Sequence, residues 1–131
     1  MATQLKHSKQ RDSIVAFLRT RKDHPTADTI YLNIKQTLPN ISLGTVYRNL
    51  ALLSDNGDIL KLSCDGKTDR YDAFTHPHYH LMCNNCGSVS DVEMDLTELI
   101  CEEASNVYPG KILSHTIYFE GICPHCLSDN N

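Results

Sequence analysis

The chain has 131 residues, six cysteines and a formal net charge of −4. That length holds one large domain or two small ones, and two would each bury a thin core, so a metal ion or a second subunit would be a useful staple. No apolar run is long enough to span a membrane, and the opening Met1-Ala2-Thr3-Gln4-Leu5-Lys6-His7 has no apolar signal segment. A cytoplasmic location follows, where thiols stay reduced and the cysteines favour zinc over disulfides.

The net charge hides an asymmetry. Residues 1–61 carry nine Lys/Arg against five Asp/Glu, giving +4; residues 62–131 carry three against eleven, giving −8. A mildly basic half suits phosphates, and an acidic half suits cations.

In chain order, Ser8–Arg19 reads as a helix capped by Ser8, with Ile14, Phe17 and Leu18 as its apolar stripe. Asp23-His24-Pro25 breaks it. Thr26 is a good N-cap for a second helix that turns Ile30, Tyr31 and Ile34 inward and ends at Pro39. A third helix opens on Ser42, carries Val46, Leu50 and Leu53 on one face, and stops near Asn56-Gly57. Ile59–Leu62 and Thr68–Asp72 flank Cys64-Asp65-Gly66-Lys67, whose Asp-Gly is a hairpin signal. Three short helices and a hairpin are the order of a winged helix-turn-helix, whose third helix enters the major groove. Its outward residues would be Ser42, Thr45 and Arg48, with Tyr47 near the phosphates. Periodicity alone equally allows a plain three-helix core with solvated polar faces.

After a turn at Thr75-His76-Pro77, His78–Met82 and Val89–Glu93 read as antiparallel strands joined by the Cys83–Gly87 turn. A helix follows over Leu96–Ala104, capped by Asp95 with Leu96, Leu99 and Ile100 inward, and Pro109-Gly110 stops it. Ile112–Glu120 reads as a final strand. So small a module has sheet edges to hide, which predicts dimerisation through the sheet. The fold class is therefore α+β, with the winged-helix order over 1–73 and a small α/β module over 74–131.

Two Cys-x-x-Cys knuckles, Cys83/Cys86 and Cys123/Cys126, supply the four thiolates of a closed, tetrahedral structural zinc site. His125 lies inside the second knuckle, where four sulfurs already fill the shell. Cys64 and Cys101 have no partner at metal spacing and read as plain thiols; His76 and His115 have no assigned role. His78 and His80, two apart on a strand, leave the same face, and Asp91 could lie beside them across the hairpin. They are either the start of a second metal site or a pair of exposed strand histidines.

Taken together, His24-Pro25-Thr26-Ala27, Ser42-Leu43-Gly44-Thr45-Val46-Tyr47-Arg48-Asn49-Leu50, His78-Tyr79-His80 before Cys83-Asn84-Asn85-Cys86-Gly87, and Cys123-Pro124-His125-Cys126 resemble the ferric-uptake-regulator family over essentially the whole chain. The resemblance implies a winged-helix DNA-binding domain over 1–73, a small α/β dimerisation domain with a structural zinc over 74–131, and so a homodimeric repressor, not an enzyme, that binds a near-palindromic double-stranded DNA operator. Each subunit would hold one structural Zn²⁺ and one regulatory metal at the domain junction. Carried over by position, the regulatory ligands would be His24, Asp72, His78, His80 and Asp91, a nitrogen and oxygen set suited to Fe²⁺ or Mn²⁺. Asp at 72 and 91 looks like the peroxide-sensing PerR branch, where iron-catalysed oxidation of a ligand imidazole, here His24 or His78, releases the metal and derepresses peroxide-stress genes. Arg48 instead resembles the iron-sensing branch, so an iron-responsive repressor of iron-uptake genes is the alternative. A non-haem iron enzyme is the remote one, because a chain half occupied by a winged helix leaves little room for a substrate pocket.

Overall fold

A computed structural model describes residues 8–129. The opening seven residues, read above as lacking a signal segment, lie outside the described residues. The chain divides into two compact units between Thr75 and His76, two residues later than the boundary drawn from sequence. Among the described residues no helix is long and apolar enough to cross a membrane.

The first unit contains α1 (Lys9–Arg19), α2 (Ala27–Ile34), α3 (Leu43–Asp55), β1 (Leu60–Leu62) and β2 (Arg70–Asp72). Each helix starts where a hydroxyl can take an orphan amide. Ser8 Oγ accepts from the N–H of Arg11, Thr26 from Thr29 and Ser42 from Thr45. Ile14, Leu18, Ile30, Ile34, Val46, Leu50, Leu53 and Ile59 are buried together with Tyr71 of the wing. The wing is antiparallel, Leu60 opposite Asp72, and its turn places Gly66 at φ 71°, a left-handed position glycine takes without strain. One expectation is corrected: α2 ends at Ile34, not at Pro39. The Ile34 carbonyl accepts from Thr37 N–H, Leu38 N–H and the Thr37 hydroxyl, so a local turn satisfies the helix end before the proline is reached.

The second unit contains β3 (Tyr79–Cys83), β4 (Val89–Val92), α4 (Thr97–Val107), β5 (Tyr118–Gly121) and α5 (Pro124–Asp129). The sheet order is β4-β3-β5, with β4 antiparallel to β3 and β5 parallel to it. Four expectations are corrected here. His78 lies one residue before β3, because Pro77 beside it has no N–H to give to a ladder. The last strand covers Tyr118–Gly121, not Ile112–Glu120: its parallel pairing begins at His80 opposite Tyr118, and β3 has few residues left to pair with the chain before it. The N-cap position of α4 belongs to Leu96, although the Asp95 carboxylate still accepts from the N–H of Thr97 at 2.9 Å. Finally, α4 buries none of its residues. Leu96 is 40% and Leu99 56% exposed, since no described element of the second unit covers that face. Short α5, unforeseen above, begins at Pro124, a residue suited to the first helical position.

Candidate metal centres

The thiols of Cys83, Cys86, Cys123 and Cys126 converge within 4.8 Å of one another. The β3–β4 turn presents the first pair, with Gly87 at φ 77° just after Cys86; the start of α5 presents the second. Cys86 Sγ lies 3.8 Å from Cys123 Sγ. Four thiolates about 2.3 Å from a zinc ion stand roughly 3.8 Å apart along a tetrahedron's edges. Cys83 Sγ accepts from the N–H of Cys123 at 3.3 Å and of Cys86 at 3.5 Å. Those amides, Cys123 first, bring its thiol down to about 6. Ser88 lowers Cys86. Cys126 receives a lowering hydrogen bond from Asn85, but burial and the neighbouring thiols outweigh it and push it up to about 12. Negative charge thus concentrates on part of the quartet, and a dication would displace the remaining protons. This is a zinc-type site, and it joins buried Cys83, Cys123 and Cys126 where the second unit has little aliphatic core. His125 points away from it, 84% exposed and 3.3 Å from Asp129.

The remaining donors fall into two sets. In the first unit His24 Nε2 lies 3.3 Å from Asp72 Oδ2, both side chains almost fully buried. The wing brings them together. Tyr71 N–H donates to the Pro25 carbonyl at 3.1 Å, and the Arg70 guanidinium donates to the His24 carbonyl at 3.0 Å. Asp72 is oriented in turn, its Oδ1 accepting from the N–H of Phe74 at 2.8 Å. His24 holds φ 57°, the one described non-glycine residue with positive φ. Such a conformation costs about 1–3 kcal/mol and gathers at functional sites.

In the second unit, Asp91 Oδ1 is 3.2 Å from His78 Nε2 and 3.3 Å from His80 Nε2. The register sets this, His80 lying opposite Asp91. His78 Nδ1 donates to the His76 carbonyl at 2.6 Å, which leaves Nε2 as the lone-pair nitrogen, the arrangement a metal-ligating imidazole needs. His76 itself stacks on the His78 ring and lies 3.3 Å from Glu93. Each set offers only nitrogen and carboxylate oxygen, chemistry that suits Fe²⁺ or Mn²⁺ and not a thiophilic ion.

The DNA-reading candidates sit at the start of α3. Ser42 Oγ is 2.9 Å from Thr45 Oγ1, the Arg48 guanidinium donates to Thr45 Oγ1 at 3.2 Å, and Tyr47 is 48% exposed. Two supporting residues had no sequence signal. Arg70 clamps His24, as above. Buried Asn49 ties α3 to α1 by accepting from Arg11 and donating to Gln10, each at 3.3 Å.

The model of the ferric uptake regulator family matches residues 2–120. This chain belongs to that family. Among its family relatives, the peroxide-responsive repressor PerR of Staphylococcus epidermidis is 33% identical over 122 residues, covering 93% of this chain and 81% of the relative. The solved ferric uptake regulator Fur of Helicobacter pylori, described as having three functional metal binding sites, is 30% identical with a TM-score of 0.77, over 94% of this chain and 83% of that one. The Campylobacter jejuni peroxide stress regulator is 25% identical with a TM-score of 0.76, over 89% and 88%. The family's α+β fold is therefore this chain's, and the chain carries a four-cysteine zinc-type site in its second unit and a His/Asp donor set in each unit.

Proposed function

We propose that this chain is a cytoplasmic, homodimeric repressor whose grip on a near-palindromic DNA operator depends on one regulatory Fe²⁺ or Mn²⁺ per subunit, and that hydrogen peroxide is its signal. The observation that carries the reading is that each unit offers an oriented but incomplete donor set: His24 with Asp72 in one, His78 and His80 with Asp91 in the other. Two or three donors leave a divalent ion under-coordinated; five together would satisfy it. An ion held by both sets would favour one angle between the reader unit and the pairing unit. It biases that angle because an open hinge loses its ligands, giving the differential affinity any ligand-driven change requires.

The roles of the residues follow. Arg70 and the wing hold His24 in place, and the His76 carbonyl holds the His78 ring. Asp72 and Asp91 offset the ion's charge. Ferrous iron, when bound, supplies the electrons that reduce hydrogen peroxide beside its own ligands. The His24 and His78 imidazoles are the residues we assign as the targets. An oxidised imidazole is a poorer donor, so the clasp opens and the spacing of the two α3 helices is lost. In α3, Arg48 is assigned to a base edge, with Ser42, Thr45 and Tyr47 at phosphates.

A second reading, an iron-responsive repressor, is favoured by Arg48 alone, which resembles the iron-sensing version of this helix. Operator binding separates the two. Loaded with Fe²⁺, the dimer should bind before peroxide and release after it; loaded with Mn²⁺ it should bind in both cases. Release only on chelation of the metal would make iron itself the signal.

A further inference from the structure

Cys101, read from sequence as a plain thiol, lies within hydrogen-bonding reach of a base. Its Sγ is 3.4 Å from His115 Nδ1. On the other side of that ring, Nε2 is 2.9 Å from the hydroxyl of Tyr79, which is 6% exposed on β3. The three residues come from α4, from the segment before β5 and from β3, so the second unit's packing assembles them, not their sequence spacing. With Nε2–H donating to the Tyr79 oxygen, the Nδ1 lone pair faces the thiol. Nucleophile, base and a group orienting the base form the arrangement that activates a cysteine. The Asp95 carboxylate, held low chiefly by hydrogen bonds from Thr97, is also close enough to feel the charge of a protonated His115. Cys101 is half-buried, so a small oxidant can reach it.

We propose that Cys101 is a second peroxide-reactive site, a thiol activated by His115 and independent of the regulatory metal. His115 Nδ1 takes the Sγ proton. The sulfur lone pair attacks one oxygen of hydrogen peroxide; the S–O bond forms as the O–O bond breaks. Sulfur is oxidised by two electrons to sulfenic acid, and the departing hydroxide takes the proton from His115 as water. Such a product is reversible by thiols, unlike an oxidised imidazole.

Cys64 is an internal control. It is equally half-buried, but burial and then the Asp65 carboxylate push its thiol up. The test uses the full zinc-containing dimer loaded with Mn²⁺, treated with hydrogen peroxide and dimedone, and read by peptide mass spectrometry over time. Cys101 should acquire the adduct at least about tenfold faster than Cys64, since the thiolate is the reacting species. His115→Gln, which keeps a hydrogen-bonding side chain but cannot take the proton, should bring Cys101 down to the Cys64 rate, with zinc content and circular dichroism unchanged. Equal rates for the two thiols in the unsubstituted protein would overturn the proposal without any variant. So would labelling that His115→Gln leaves unaltered, or that occurs only with Fe²⁺ bound.

Discussion

His24 occupies a backbone conformation that a histidine rarely adopts, and three contacts explain why it stays there. Arg70 takes its carbonyl, the Tyr71 amide takes the next one, and Asp72 meets its ring. If His24 is a metal donor as proposed, strain held there by the wing would shape the first unit for binding before an ion arrives. Asp91 does a comparable job with a short side chain, one oxygen meeting two imidazoles at 3.2 and 3.3 Å. Asp91→Glu keeps the charge and lengthens the arm by one methylene. Metal binding should survive, while peroxide-driven oxidation of the Fe²⁺ form slows by about tenfold or more, because displacement of this order is costly in an oriented reaction. Stopped-flow mixing with peroxide measures it; unchanged kinetics would mean the length of this carboxylate does not matter.

Two elements are assigned the contacts with other molecules: α3 to DNA and α4 to a second subunit. Helix α3 is capped by Ser42 and tied to α1 through Asn49, so its outward residues are presented from a fixed base. Helix α4 is the reverse case, an amphipathic helix whose apolar face meets water in the single chain. Leu99→Asp should therefore leave the unit folded but weaken the dimer by about 3 kcal/mol, roughly a hundredfold in dissociation constant. Sedimentation across a concentration series measures that, and an unaltered dissociation constant would place the subunit contact elsewhere. This helix also shows where sequence reasoning stops. The spacing of Leu96, Leu99 and Ile100 correctly marks an apolar face, but periodicity cannot tell a face buried within a chain from one kept for a second copy. The knuckles were legible because metal geometry dictates short, fixed spacings. The hydroxyl caps of α1, α2 and α3 were legible because they act within three residues. The pairing of His24 with Asp72 depends on a wing contact 46 residues away from Arg70 to His24, and the Cys101–His115 pair on α4 meeting the segment before β5; neither leaves a local pattern.

At the scale of the whole molecule, the charge asymmetry matches the division into two units. Counted by unit, Met1–Thr75 carries eleven Lys/Arg against eight Asp/Glu, giving +3, and holds the winged helix, where phosphates would lie; His76–Asn131 carries one against eight, giving −7, and holds most of the candidate metal donors and the zinc-type quartet. With its little aliphatic core, the second unit relies on the cysteine quartet for closure. The first, with an aliphatic cluster from three helices and the wing, does not. Regulation is therefore proposed to act on the connection between two separately folded bodies, leaving the fold of each intact. The most direct test is peptide mass spectrometry on the Fe²⁺-loaded, zinc-containing dimer after brief exposure to hydrogen peroxide, with the Mn²⁺ form as control. The account predicts one added oxygen on the peptides containing His24 or His78 in the iron form, absent with manganese, in step with loss of operator binding. Oxygen confined to methionine and cysteine peptides, while the iron form has nevertheless released its operator, would contradict it.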